Sequence, residues 1–333
     1  MLHLTPGPFP MGRGDKTFAH PTILNPLPSG EGPGVRRLVL VPLFLALVLS
    51  LAACFPQFDP VTQIEHLRVL GIKAEPPEAA PGDAVTLTAL VANADGTPYE
   101  GVYLWAVLGI TGTEFAQMGS SHFDPNRLPP GGFGIQTPGG APFAYSVPQP
   151  DDPGSILGIP FRDSGILLTA LLVVVEGSPD ATEILADLAA GGTKFEYRFA
   201  YKTVIVSTRT ADQRNSNPVL NHVEVKRFGQ VIEPDPGDGS YHVGYGDVAH
   251  IAAIFDNAEG SRVTFSWFDS IKEGFGDGQG NKARDWKLPS HVGAYTIYVV
   301  CRNNYEFHSD QGYSARSSGM DWGTATLVVE KTP

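Results

Sequence analysis

Alternation of apolar and polar residues with a period of two runs through residues 62–331, and its main phrases occur twice. Gly82–Gly96 reads GDAVTLTALVANADG and Gly246–Gly260 reads GDVAHIAAIFDNAEG, aligned without a gap. Each opens on Gly-Asp and closes on Asn-Ala-Asp/Glu-Gly, residues that suit tight turns. Between the turns, Val85, Leu87, Ala89 and Val91 share one face, matched by Ala249, Ile251, Ala253 and Phe255, while Thr86 and Thr88 take the other. That is the spacing of a half-buried strand. An aromatic strand around a single tryptophan follows each copy, VYLWAVL with Trp105 and VTFSWF with Trp267. Later, Gly165 precedes ILLTALLVVV and Gly293 precedes AYTIYVVC, and the copies end on β-branched strands at 202–208 and 324–330. Four matching segments in one order predict an all-β chain of two tandem β-sandwich domains, 62–208 and 219–331.

The copies differ in their middles. In the second, a modest stretch of about 269–292 separates the Trp strand from the Gly-led strand. In the first, an insertion at 109–164 carries nine prolines, from Pro125 to Pro160, which exclude long helices and central strands. It also carries Phe115, Met118, Phe123, Phe133, Phe143 and Tyr145. So many rings predict an ordered flap on the sandwich, whose aromatics either cover a sheet edge or form a binding surface. One short helix is expected in the first domain: Asp180 to Glu183 make a capping-box-like start, Ile184, Leu185 and Leu188 give an apolar stripe, and Gly191-Gly192 stops it. The polar stretch 209–218 reads as a short linker that permits modest hinge motion.

The N-terminal region has a different character. Arg36-Arg37 precede the apolar run Leu38–Ala53, which is shorter than the ~20 residues a spanning helix needs and contains Pro42. Two positive charges, a short apolar core and small residues before a cut point make residues 35–53 a secretory signal peptide. Its end, Leu51-Ala52-Ala53-Cys54, resembles the lipobox of bacterial lipoproteins. The resemblance implies cleavage before Cys54, lipid on its thiol, residues 54–61 as a tether, and attachment to a membrane. Phe55, rather than Asp, follows the cysteine, which by that family's sorting rule favours the outer membrane. Each buried methylene adds about 0.8 kcal/mol, so the several chains of such an anchor hold permanently where one myristoyl chain does not. Residues 1–34, rich in Pro-Gly phrases, read as a mis-assigned or disordered leader with a natural start at Val35.

RVLGIKAEPPEAAPGDAVTLTALVANADG resembles the opening of Ig-like domains in bacterial surface lipoproteins. SWFDSIKEG and WKLPSHVGAYTIYVVCRN resemble their second domain and PKD-type Ig-like modules. Phe275-Gly276-Asp277-Gly278 matches the FGDG phrase of the latter, although it lies well downstream of Trp267. The resemblance implies tandem Ig-like sandwiches at a cell surface and brings no catalytic residues with it.

Charge and composition narrow the functional classes. The chain carries 23 basic and 35 acidic residues. Loss of residues 1–53 removes four basic and two acidic ones, leaving 19 and 33 and a formal charge of −14. Such a chain is repelled by nucleic acid and by anionic lipid surfaces. With Cys54 acylated, Cys301 is the one remaining thiol and is expected in a strand as a small hydrophobe. No G-x-S-x-G, H-E-x-x-H, C-x-x-C or G-x-x-x-x-G-K-[ST] motif occurs.

The expectation is therefore a non-enzymatic binding, adhesion or spacer module without a cofactor, meeting a protein or glycan partner. Trp286, Trp322, Phe133 and Tyr145 are its candidate contact residues, since exposed aromatics stack on sugar rings. A calcium-stiffened stalk is one alternative, with hard oxygen ligands from Asp256, Glu259 and Asp277. A surface hydrolase or accessory is another, with a site assembled in the second domain from Asp269, Asp277, His291 and His308.

Overall fold

The computed structural model describes residues 63–108, 133–136, 142–151, 155–156, 159–160, 165–177, 179–190, 192, 194–244, 248–256, 263–271, 275, 281–308 and 314–331. Residues 59–333 belong to one compact unit. The first half contributes β1 (Arg68–Glu75), β2 (Glu78–Ala79), β3 (Ala84–Ala92), β4 (Tyr103–Leu108), β5 (Phe133–Gln136), β6 (Phe143–Ser146), β7 (Ser155–Ile156), β8 (Ile159–Pro160), β9 (Ile166–Val175), α1 (Ala181–Ala189) and β10 (Tyr197–Val206). The second contributes β11 (Val219–Arg227), β12 (Gln230–Ile232), β13 (Tyr241–Gly244), β14 (Val248–Asp256), β15 (Val263–Phe268), β16 (Ala283–Lys287), β17 (Gly293–His308) and β18 (Ser314–Glu330).

The architecture is all-β. In the first sandwich a sheet of order β1-β3-β6 faces a sheet of order β2-β10-β9-β4-β5. In the second, β12-β11-β14-β16 faces β13-β18-β17-β15. Each pair of sheets encloses its own core. Ile72, Val85 and Leu87 meet Trp105, Leu168, Leu172 and Val204 in the first, and Val225, Ile251 and Ala253 meet Trp267, Val299 and Leu327 in the second. The Cys301 thiol lies in β17 inside the second core, where burial pushes it up to about 12 and leaves it an inert hydrophobe.

The registers make the repeat explicit. Trp105 sits opposite Leu172 and Trp267 opposite Val299. Ala89 pairs with Ile72, and its counterpart Ala253 pairs with Val223. In both halves the first strand crosses between sheets, because β2 and β13 run parallel to the last strand of the facing sheet. Pro76-Pro77 interrupts the first crossing and Pro234 and Pro236 precede the second; proline has no N–H to continue a ladder.

The insertion at 109–164 extends both sheets. β6 pairs with β3 and β5 with β4. Within β6 the pattern FAYS alternates, putting Phe143 and Tyr145 into the core with Phe143 stacked 6.2 Å from Trp105. The prolines thus exclude long central strands and not short ones: the segment between Pro142 and Pro148 forms one, and Pro160 itself ends the two-residue β8. Helix α1 forms as expected: the Asp180 carboxylate caps it by accepting from Thr182 N at 2.6 Å.

Candidate functional site at the junction of the two sandwiches

The residues singled out in the sequence do not gather. Trp286 is 0% exposed in β16, and Tyr145 is 5% exposed in β6. Tyr145 sits opposite Val85 and Trp286 opposite Ala249, so the two occupy equivalent positions of the repeat. Both fill core, and neither presents a ring to a sugar. Trp286 is therefore a repeated core position and not the exposed contact residue expected, a misreading that arises because the strand carrying it alternates over only five residues. Trp322 is half-buried against the cluster described below. Phe133 pairs through its backbone with Ala106. Asp256, exposed at the end of β14, accepts from Asn221 Nδ2 at 2.9 Å. Cys54, Glu259 and Asp277 lie outside the described residues.

The hydrolase candidates also separate. Asp269 is 1% exposed and takes hydrogen bonds from Trp286 Nε1 at 2.6 Å and Ile271 N at 3.1 Å. Burial nevertheless wins over those bonds and raises its carboxyl to about 6. Its role is structural: it satisfies the buried indole, while its own carbonyl receives Ile64 N at 2.7 Å. His291 is exposed beside Ser290, and His308 pairs through its backbone with Ser314. Among the described residues no group of three or more His, Cys, Asp or Glu side chains is placed to hold a metal ion.

What the chain does build is a junction. Ile64, Leu70 and Ala92 of the first half pack against Phe268, Tyr298, Val300 and Met320 of the second. Leu70 reaches it because β1 carries a bulge between Val69 and Gly71, and a bulge re-aims the extra residue. Gly71 keeps the approach close, since a Cβ there would stand 2.8 Å from Met320 Sδ. Tyr298 Oη donates to Gly96 O at 2.6 Å; Gly96 itself holds φ +82, a left-handed turn that glycine adopts without cost.

The stretch 209–218 is pinned, which corrects its reading as a hinge. Glu78, fully buried, accepts from Ser207 Oγ at 2.5 Å and Asn215 N at 2.9 Å. Arg214 Nη1 donates to Asp83 at 2.9 Å. Asn217 is buried and bridges the halves: its Nδ2 donates to Ala74 O and Glu75 Oε2, and its Oδ1 accepts from Met320 N at 2.8 Å. Asp321 adds a second bridge, accepting from Leu220 N at 2.8 Å and from Lys73 Nζ at 3.1 Å.

Beside this junction, between the facing edges of β1 and β10, opens a cleft of about 290 Å³. Val69, Leu70, Ile72 and Met320 give it an apolar side, and Lys202 and Arg302 line it with positive charge. Lys202 is 6% exposed. Desolvation, and secondarily the neighbouring Arg302 guanidinium, pull its ammonium down to about 8. Arg302 Nη1 donates to Ser266 Oγ at 2.8 Å and Nη2 to Leu70 O at 3.2 Å, so it spans the two halves. Tyr201, half exposed, stands at the rim. Sequence reasoning passed over Lys202 and Arg302. The available signal was a lysine at a position of YRFAYKTVIV where the alternation calls for an apolar residue.

No protein-family model matches the chain, and no curated protein matches it. Among solved structures it is similar to three N-terminal domains of the Highly Immunogenic Outer Capsid protein of bacteriophage RB49, at 10% identity over 80% of this chain and 71% of that one, with a TM-score of 0.21. It is also similar to domains 4 and 5 of the S-layer protein SbsC, at 13% identity over 79% of this chain and 98% of that one, with a TM-score of 0.17. Likenesses this distant carry no argument about what the chain does.

Proposed function

We propose that the chain is a lipid-anchored cell-envelope protein whose two Ig-like sandwiches act together as a non-enzymatic binding, adhesion or spacer module. The observation that supports this most is the apolar junction, with Asn217 and Asp321 bonded across it. A module that displays or transmits force gains from halves that do not reorient, whereas a flexible pair would dissipate the geometry. The signal-like run ending at Cys54 supplies the anchor, and Phe55 after it favours the outer membrane. The acidic balance suits a protein or glycan partner over nucleic acid.

Labelled palmitate tests the anchor in the native host. The wild-type chain takes up label and sediments with membranes, and Cys54→Ser does neither. An unmodified Cys54 thiol on freely diffusing protein would overturn the anchor. Turnover of a generic ester, peptide or glycan substrate by the purified chain would overturn the non-enzymatic half.

A further inference from the structure

We propose that the cleft between β1 and β10 is a binding site for a small molecule bearing a carboxylate or phosphate group, held by Lys202 and Arg302. This goes beyond the envelope reading and does not depend on the anchor. Three observations carry it. The first is the cavity, whose 290 Å³ gives room for about ten water-sized groups, enough for a small organic acid or a phosphorylated fragment.

The second is its charge. Two cationic side chains line it, and none of its ten described lining residues is acidic, in a chain with twelve more acidic than basic residues. Two like charges in a desolvated place repel each other, and an anion between them offsets both the repulsion and the lost hydration. The depressed lysine is the signature of that arrangement.

The third is its placement. A guanidinium has five N–H donors, and among the described residues Arg302 directs one to Ser266 and one to Leu70, leaving donors for an oxyanion. Those two bonds also fix its plane, so the fork is oriented before a ligand arrives. The apolar wall of Val69, Leu70, Ile72 and Met320 takes the body of the ligand while its acid group meets the cations.

The test is calorimetric titration of the full-length chain in detergent with two probes, glucuronate and inorganic phosphate, separately. Saturable one-to-one binding of either is expected, and the tighter probe tells whether a carboxylate or a phosphate is preferred. Lys202→Met, which keeps the length of the side chain, is expected to weaken that probe by about tenfold or more, as loss of one charge-assisted hydrogen bond does. Lys226→Met, on the other sandwich, is expected to leave it unchanged. Absence of saturable binding for both probes overturns the proposal, and so does equal affinity in Lys202→Met. If that variant does not fold, a crystal of the unmutated chain grown with the tighter probe decides. The acid group within hydrogen-bond distance of Lys202 Nζ and Arg302 supports the site, and a probe lying elsewhere overturns it.

Discussion

The outer face of the Trp-strand sheet is apolar in both sandwiches, and the chain covers it in two different ways. In the first, Leu104, Ala106, Leu171 and Val173 lie beneath Ile184 of α1, with Leu185 and Leu188 packed alongside. In the second, the equivalent positions are Ser266, Phe268, Tyr298 and Val300, and only five residues, 309–313, separate β17 from β18 in the sequence. There the first sandwich itself is the cover, through Ile64, Leu70 and Ala92. The lesson is that one repeated sheet leaves one repeated liability, an exposed apolar face. A local insertion relieves it in one copy and a neighbour in the other, and only the second solution ties the halves together.

Introducing a charge into each cover gives the largest effect. Val300→Asp buries a carboxylate in the junction and Val173→Asp buries one under α1, each at roughly 4 kcal/mol or more. Calorimetry separates the consequences. Val300→Asp is expected to split unfolding into two transitions by parting the halves, whereas Val173→Asp lowers the first sandwich alone. A single wild-type-like transition in Val300→Asp would show that the halves stay coupled without this junction.

A gentler probe uses the bulge that both copies share. In β1 the extra residue is Leu70, buried in the junction; in β11 it is Asn221, exposed and bonded to Asp256. Leu70→Ala is expected to cost about 3 kcal/mol through lost transfer energy and the cavity left behind. Asn221→Ala should fall within about 0.5 kcal/mol. Similar costs for the two in denaturant titration would refute the assignment of the junction to one bulge.

Asp269 distinguishes the copies by pH. Its folded carboxyl is raised from 3.8 to about 6, so the folded state holds the proton more tightly than the unfolded chain does. The sign follows: this group favours the fold most below about pH 4, and that contribution is lost as pH rises through about 6, leaving none above. The whole swing is roughly 2–3 kcal/mol. Asp269→Asn keeps an oxygen for the Trp286 indole and carries no charge, so it is expected to flatten stability between pH 4 and 6. An unchanged slope in the variant would mean the carboxylate is not desolvated.

Much of this fold was legible because its strands obey period two and its turns carry glycine. The repeat, both Trp strands and α1 with its Asp180 cap all follow from local pattern. What stayed hidden is what depends on the third dimension. The strand FAYS is four residues long among prolines, and ARDWK alternates too briefly to separate a core Trp286 from an exposed one. Leu70 reads as one more apolar residue of β1, because a bulge leaves no mark in composition. Lys202 and Arg302 lie a hundred residues apart, so nothing in sequence joins them, although a lysine on a buried strand face was visible. The polar stretch 209–218 misled for a related reason: Thr210, Asp212, Gln213 and Ser216 do face water, but Arg214, Asn215 and the buried Asn217 are polar because they bond to the sandwiches on either side.

The smallest expected effect concerns the equivalent core pair. Trp286 hands its indole N–H to Asp269, but the buried Tyr145 hydroxyl has no hydrogen-bond partner among the described residues. Leaving a hydroxyl buried and unbonded costs about 1–3 kcal/mol, part of which the larger ring recovers by filling the core beside Val85. Tyr145→Phe removes the hydroxyl and keeps the ring, so it is expected to leave stability unchanged or raise it by about 1 kcal/mol. Trp286→Phe removes a satisfied donor, leaves volume unfilled and strips Asp269 of a bond, so it moves the other way. Chemical unfolding of the two variants side by side checks the contrast, and a marked loss in Tyr145→Phe would mean that this hydroxyl is bonded in solution and that the two positions are more alike than their surroundings suggest.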